Sequence, residues 1–183
     1  FIVRIIDDDA PEAICQDLTL ILDDTGNATI TASQLNFGSN DNCGLGSLDI
    51  NVDTFDCSNV GTNEVTLTVT DIHGNTATCV ATVTVLDNTA PIAVCQDLTL
   101  ELGNNSAVTI DPLAIDGGSS DACGIVSYEL DIDTLDCSNL GNTTVILTVT
   151  DVNGNQSSCS ATVTLEDNTP CLLYTSPSPR DRV

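Results

Sequence analysis

The chain of 183 residues carries 27 acidic residues against three arginines, so its formal net charge is -24. A surface of this charge repels nucleic acid and anionic membranes, because binding phosphate requires a basic patch. No run of about eighteen apolar residues occurs, so the sequence predicts no insertion into a membrane.

Nine cysteines in a chain of this size indicate a disulfide framework. No two of them have the Cys-x-x-Cys spacing typical of structural zinc sites, and His73 is the single histidine. Disulfides persist in oxidising compartments, so we expect a secreted protein, extracellular or at the cell surface.

A repeat of eighty residues organises the sequence, because Cys15, Cys43, Cys57 and Cys79 recur without a gap as Cys95, Cys123, Cys137 and Cys159. A fixed period of this length is typical of tandem domains, each large enough to form its own core. We therefore predict one domain at 10–89 and a second at 90–169. Residues 1–9 are predicted to be the last strand of a truncated preceding repeat, and neighbouring repeats of the same chain are the expected partners.

The last residues, 170–183, match neither repeat. From Cys171 onward they resemble the translated read-through of a sequencing adapter, and we predict a non-native, disordered tail there. A Pro/Ser-rich linker is the alternative. If the tail is non-native, Cys171 stands outside the disulfide framework.

Apolar and polar residues alternate with a period of two along 18–22, 65–70 and 79–85, which predicts strands with one wet face. Turn signals rich in Gly, Asn and Asp separate these segments at short intervals, as in an all-β sandwich. Few aromatic residues are available for the cores: Phe37 and Phe55 in the first repeat and Tyr128 in the second.

One hairpin is predicted in each repeat as its last two strands. In the first repeat, 65–70 and 79–85 are joined through Asp71, His73, Gly74 and Asn75. Gly74 or Asn75 can take the positive φ that closes such a turn, and the Asp71 carboxylate can accept backbone N–H bonds across it.

The same alternation suggests a disulfide pairing. Cys79 has the inward parity of Val83 and Val85, so we predict that it faces the core and bonds to Cys15. The same argument predicts the pair Cys95–Cys159, and the remaining pairs would be Cys43–Cys57 and Cys123–Cys137. Four cysteines allow three pairings, and the sequence alone leaves the other two open.

Three blocks of the first repeat are similar to the hyalin-repeat (HYR) family: Asp41-Asn42-Cys43-Gly44, Gly61 to Asp71, and Gly74-Asn75 followed by Cys79. The second repeat carries the same blocks, so the resemblance spans residues 10–169. The resemblance implies two tandem immunoglobulin-like β-sandwiches of an extracellular protein. In bacteria, members of this family are parts of very large secreted or surface-anchored proteins. The chain departs from the family at Cys57-Ser58-Asn59 and Cys137-Ser138-Asn139, so the family's cysteine pairing is not transferred here.

Carboxylates collect where one repeat joins the next, before Ala10-Pro11 and before Ala90-Pro91. Ca²⁺ takes about six to eight oxygen ligands, so we hypothesise calcium at these junctions as the one candidate cofactor. The candidate ligands are Asp7, Asp8, Asp9, Asp71, Asp87, Asn88, Asp151 and Asp167. The alternative is that Asp and Asn simply suit turns and solvated linkers.

No residues are predicted to be catalytic, and no enzymatic activity is expected. Acidic residues are close in sequence at 49–56 and 131–136, but a glycosidase holds its two carboxyls across a cleft, which spacing along a strand edge does not supply. His73 corresponds to Asn153, which favours a turn residue over a base.

The sequence therefore predicts a structural or adhesive repeat module of an extracellular protein. The alternative function is a ligand-binding or glycan-binding accessory module of a secreted multidomain enzyme. In that case a surface glycan or a protein ligand would be the partner.

Overall fold

The computed structural model describes residues 6–168. They divide into two compact units, the first made of 6–90 with 121–124 and 152–155, and the second of 91–120, 125–151 and 156–168. The strand predicted at 1–9 falls mostly outside the described residues, and 6–9 are not in strand conformation. The tail predicted at 170–183 lies wholly outside them.

The first unit is a β-sandwich of a four-stranded and a two-stranded sheet. Its elements are β1 (Leu18–Ile21), β2 (Asn27–Thr29), α1 (Ala32–Leu35), β3 (Leu45–Ile50), β4 (Thr54–Asp56), β5 (Gly61–Asp71) and β6 (Thr76–Leu86). The larger sheet has the order β1-β6-β5-β3, and the smaller pairs β2 with β4. The pair β1–β6 is parallel, and the other pairs are antiparallel.

One apolar core joins these two sheets. Val65 of β5 and Val83 of β6 pack in the same buried cluster as Phe55 of β4 and Leu35 of α1. Outward positions alternate with them, and Val80 is 60% exposed, so the predicted period of two is confirmed.

The prediction that Phe37 belongs to the core is wrong. Its side chain is 65% exposed, whereas Leu35 is fully buried. Phe37 follows the single turn of α1, and that turn already places Leu35 in the core.

Strands β5 and β6 form the predicted hairpin. Gly74 has a φ of 97°, a conformation in which L side chains are disfavoured. The Asp71 Oδ1 atom accepts the N–H groups of His73 at 2.8 Å, Gly74 at 2.6 Å and Asn75 at 2.8 Å. The turn and the role predicted for the Asp71 carboxylate are both confirmed.

The second unit repeats this architecture. Its elements are β7 (Leu98–Glu101), β8 (Ala107–Thr109), α2 (Pro112–Ile115), β9 (Ile125–Leu130), β10 (Thr134–Asp136), β11 (Gly141–Asp151) and β12 (Gln156–Glu166). The sheets are β7-β12-β11-β9 and β10-β8, with β7 parallel to β12. Val145, Leu147, Leu135 and Ile115 are among its fully buried residues, so the prediction of an all-β protein with two sandwiches is confirmed. Within residues 6–168, no helix is long and apolar enough to cross a bilayer.

A partly buried disulfide closes each sandwich. Cys15 is bonded to Cys79 in the first unit, and Cys95 is bonded to Cys159 in the second. These are the pairs expected from the inward parity of Cys79 and Cys159.

The expected pairs Cys43–Cys57 and Cys123–Cys137 are not formed, because Cys57 is bonded to Cys123 in the first unit. Cys57 lies just before the start of β5. His73 lies in the turn that follows the end of β5, and the Cys43 side chain is close to His73. A strand of eleven residues spans about 35 Å, far more than a disulfide can bridge. The corresponding strand β11 likewise follows Cys137 and ends at the residue paired with the start of β9.

Candidate metal centre

Three segments of the first unit bring carboxylates together. Asp7 lies in the segment that precedes β1, which we call the entering segment (residues 6–17). Asp41 lies in the loop before β3, and Asp71 lies at the end of β5. Their nearest oxygen atoms all lie within 4.8 Å of one another. Two oxygens bound to one Ca²⁺ at about 2.4 Å can be separated by at most about 4.8 Å, so the spacing suits a shared ion.

Each of these carboxylates is positioned by its own loop. Asp41 Oδ1 accepts the N–H of Cys43 at 2.8 Å and of Gly44 at 3.0 Å. The Asn75 amide donates to Asp71 Oδ2 at 2.7 Å and to the Asp7 carbonyl oxygen at 3.1 Å. The entering segment is thereby attached to the hairpin turn.

Local hydrogen bonds favour the charged form of Asp71. Burial raises the pKa of Asp71, but hydrogen bonds from the Asn75 side chain and from the backbone of Asn75, His73 and Gly74 outweigh it, so the pKa is lowered. Asp71 is therefore a carboxylate at neutral pH. Hydrogen bonding to Asp7 raises the pKa of the Cys43 thiol, and desolvation and the nearby negative charges raise it further.

A second carboxylate cluster lies in the first unit at Asp87 and Asp121, the eighty-residue counterparts of Asp7 and Asp41. Asp121 Oδ1 accepts the N–H of Cys123 at 2.8 Å and of Gly124 at 3.0 Å, as Asp41 does with its own loop. Asn155 Nδ2 donates to the Asp87 carbonyl oxygen at 3.1 Å, the counterpart of the Asn75 bond.

Asp87 is the more deeply buried of the two carboxylates of this second cluster. Its side chain is 7% exposed, and Oδ1 accepts the Thr89 N–H at 3.0 Å. Oδ2 is buried and has no hydrogen-bond partner within the described part of the chain. A buried carboxylate oxygen without a partner is costly, and a bound cation would remove that cost.

The shared donor set is made of oxygen atoms. Cys43 and His73 also lie within reach of Asp7, which alone would suit a softer metal. In the second cluster, however, Cys123 is held in a disulfide, and Asn153 replaces His73. Hard oxygen donors are what Ca²⁺ prefers, so the arrangement favours calcium over zinc.

The other candidate ligands are placed differently. Asp8, Asp9, Asn88 and Asp167 are exposed, and Asp9 Oδ2 accepts the Asn42 amide at 3.3 Å. Asp151 is fully buried at the end of β11 in the second unit.

Sequence reasoning missed Asp41 and Asp121 as candidate ligands. Both belong to the repeated Asp-x-Cys-Gly block, which was assigned only to the fold. Their proximity to Asp7 and Asp87 depends on long-range packing, and no spacing along the chain shows it.

The acidic residues considered for catalysis have structural contacts instead. Asp131 Oδ1 accepts the Ile146 N–H at 2.7 Å, and Asp49 Oδ2 accepts the Ser47 hydroxyl at 3.0 Å. Asp56 and Asp136 each cap a single 3-10 turn. These hydrogen bonds give Asp131, Asp49, Asp56 and Asp136 structural roles in the two repeats.

A pocket of about 400 Å³ opens in the first unit beside Phe55, Asn63 and Glu64. Sugar-binding sites typically stack a ring on an aromatic face. Phe55 is only 3% exposed here and cannot offer such a face. The pocket therefore gives the glycan-binding alternative no specific support.

No protein-family model matches the chain, and no curated protein matches it. Among solved structures, human protocadherin-24 EC1-2 is similar with a TM-score of 0.45 and 13% identity, covering 89% of this chain and 100% of that one. Drosophila N-cadherin EC1-4 is similar with a TM-score of 0.45 and 11% identity, covering 86% and 50%. These TM-scores lie below 0.5, and the fold assignment rests on the strand topology of the chain itself.

Proposed function

We propose that this chain is a structural or adhesive module of an extracellular protein, built of HYR-like repeats whose carboxylate clusters bind Ca²⁺. The observation that carries the proposal is the repetition of the carboxylate cluster. Asp7 with Asp41, and Asp87 with Asp121, are brought together by the same loops eighty residues apart. Repeat boundaries at 10–89 and 90–169 belong to this proposal.

The charge balance supports a bound cation. The sequence contains no lysine or arginine between Arg4 and Arg180, so His73 is the one basic side chain available to these clusters. Carboxylates at this spacing repel one another unless a positive ion is shared between them. Calcium would relieve this repulsion and hold the carboxylate-bearing loops together.

The disulfides support an extracellular location. Cys15–Cys79 and Cys95–Cys159 each lie against an apolar core that has few aromatic residues. Such bonds persist in oxidising compartments and stabilise small domains with limited cores.

Calorimetry with and without calcium tests the metal site. We expect about 2 mM Ca²⁺ to raise the melting temperature by several degrees at pH 7, because an ion that binds only the folded state stabilises it by mass action. An equal concentration of Mg²⁺ should raise it less, since Mg²⁺ requires a tighter octahedral site.

Paired variants make this test specific. The double variant Asp7→Asn/Asp87→Asn should lose most of the calcium response, with no loss of melting temperature in EDTA, because each amide removes a repelling charge. The control Asp24→Asn/Asp53→Asn removes the same charge at two exposed positions and should keep the response. A response that is equal in both variants, or absent from the parent chain, would refute the site.

A glycan array separates the structural role from the accessory-module alternative. The oxidised chain, probed with calcium present, should show no selective binding. Selective binding to one glycan class, lost on reduction of the disulfides, would favour the ligand-binding function.

A further inference from the structure

The bond between Cys57 and Cys123 connects two different positions of the repeat. Their sequence separation is 66 residues, and Cys123 is the eighty-residue counterpart of Cys43. The bond therefore links the Cys57 position of one sequence repeat to the Cys43 position of the next.

Two described cysteines, Cys43 and Cys137, have free thiols, and both are exposed. They are the two positions that this pairing leaves over. Cys137 is the counterpart of Cys57, and its partner would be the Cys43 position of a following repeat. Cys43 in turn would need the Cys57 position of a preceding repeat.

The Cys57 end of the first unit is built around its bond. Cys57, Val60 and Cys123 all pack against the core cluster. Gly26 packs directly against the Cys57 sulfur. A Cβ added at Gly26 would lie 2.7 Å from Cys57 Sγ and 3.2 Å from Ala122 Cβ.

Cys137 is presented by the same local structure without that cover. It begins a 3-10 turn, Cys137–Asn139, capped by the Asp136 carboxylate just as Asp56 caps Cys57–Asn59. Leu140, the counterpart of Val60, is 49% exposed. An apolar side chain and a thiol are thus exposed at the position where the first repeat covers both in part.

We propose that Cys137 of one copy of this chain bonds to Cys43 of a second copy, and that successive repeats of a longer array are joined by the same bond. Cys43 and Cys57 positions lie at opposite ends of a repeat, so the linkage is head to tail and does not close on itself. This inference goes beyond the proposed function, because it states how one module is covalently attached to another.

The chemistry requires an oxidant, and a small disulfide such as oxidised glutathione supplies it. The Cys137 thiolate attacks one glutathione sulfur and releases one glutathione thiolate. The Cys43 thiolate of the second copy then attacks the mixed disulfide at the Cys137 sulfur and releases the second glutathione. Two protein thiols become one disulfide, and oxidised glutathione becomes two reduced molecules.

Peptide mapping of the oxidised chain tests the first premise. Under non-reducing digestion, a peptide joining Cys57 to Cys123 should be recovered. Recovery of Cys43–Cys57 or Cys123–Cys137 in its place would overturn the proposal.

Complementary variants test the linkage itself, in a Cys171→Ser background that removes the remaining thiol. Cys43→Ser retains only the Cys137 thiol, and Cys137→Ser retains only Cys43. In glutathione redox buffer at about pH 8, the mixture should form a disulfide dimer in at least tenfold excess over either variant alone. Mapping should identify its bond as Cys137–Cys43.

Two outcomes would overturn the proposed linkage. Dimers of Cys43→Ser alone would show a symmetric Cys137–Cys137 bond and overturn the head-to-tail assignment. No dimer in the mixture, with Cys57–Cys123 intact, would overturn the linkage between copies. Neither result touches the calcium response, so failure of this inference and failure of the proposed function are distinguishable.

Discussion

Carboxylates act in this protein chiefly as acceptors for backbone N–H groups in turns. Asp56 Oδ1 accepts the Ser58 N–H at 2.8 Å and its hydroxyl at 2.6 Å, and Asp136 holds Ser138 with the same two distances. These side-chain and backbone hydrogen bonds lower the pKa of both carboxyl groups. Their charged form is therefore favoured by folding.

This predicts acid sensitivity. Because the pKa of Asp56 and Asp136 is lower in the folded than in the unfolded chain, the unfolded chain takes up protons first as the pH falls. The contribution to stability is complete above the unfolded value of about 3.9 and is lost as the pH falls through the folded pKa. Thermal melts between about pH 6 and pH 2 should show this loss.

Asparagine variants isolate the effect. Asp56→Asn/Asp136→Asn retains a capping oxygen but cannot titrate, so its melting temperature should fall less steeply with acid than that of the parent chain. Asp24→Asn/Asp53→Asn provides the charge-matched control, with an unchanged slope. Equal slopes in all three chains would contradict the assignment.

At this scale the sequence indicates local partners well and distant ones poorly. The role of Asp71 follows from the residues just after it in the turn. The proximity of Asp41 to Asp7 requires the loop before β3 to reach the entering segment, and no local pattern carries that information.

The hairpin of β5 and β6 is the central element of the first sandwich. Each strand has eleven residues, and β5 also pairs with β3 while β6 pairs with β1. Leu67 on β5 is fully buried, whereas Val80, on the outer face of β6, is 60% exposed.

Truncation of the two residues should give unequal results. We expect Leu67→Ala to lower the free energy of unfolding of this unit by about 2–5 kcal/mol, because it removes apolar contacts and leaves a cavity. Val80→Ala should cost less than about 1 kcal/mol, since its site is open to solvent. Denaturant titration measures both, and comparable losses would contradict the burial of the β5 face.

Alternation along the chain predicts which residues face the core, because side-chain direction is a local property of a strand. It does not predict which strands pair. The parallel register of Leu18 with Val83 joins residues far apart in sequence, and an antiparallel edge strand would show the same alternation.

The two sandwiches of the whole molecule depend on covalent closure as well as burial. Cys15–Cys79 spans a sequence separation of 64 residues and restricts the unfolded chain accordingly. Parity along β6 allows this pair to be predicted. The pair Cys57–Cys123 could not be predicted in this way. Its cysteines belong to successive sequence repeats, and side-chain parity within one repeat does not indicate a contact with the next.

Removing the long bridge should be costly. In the loop-entropy account, Cys15→Ala/Cys79→Ala lowers stability by about 4 kcal/mol, and the melting temperature of the first unit should fall by roughly 10 °C or more. Cys43→Ala removes an exposed thiol and serves as the control. A double variant that melts with the parent would show that the bridge contributes little in the folded protein.

The parallel pairing of β1 with β6 and the Cys15–Cys79 bond together determine how a repeat responds to tension. In the reduced chain, a pull on the residues before β1 and after β6 acts along the two strands in opposite directions, so all their hydrogen bonds are loaded together in shear. In the oxidised chain the Cys15–Cys79 bond carries the force past residues 16–78, so β1 and its hydrogen bonds to β6 are not loaded. Each oxidised repeat then lengthens only by its short flanking segments, and a string of them behaves as a nearly inextensible tether.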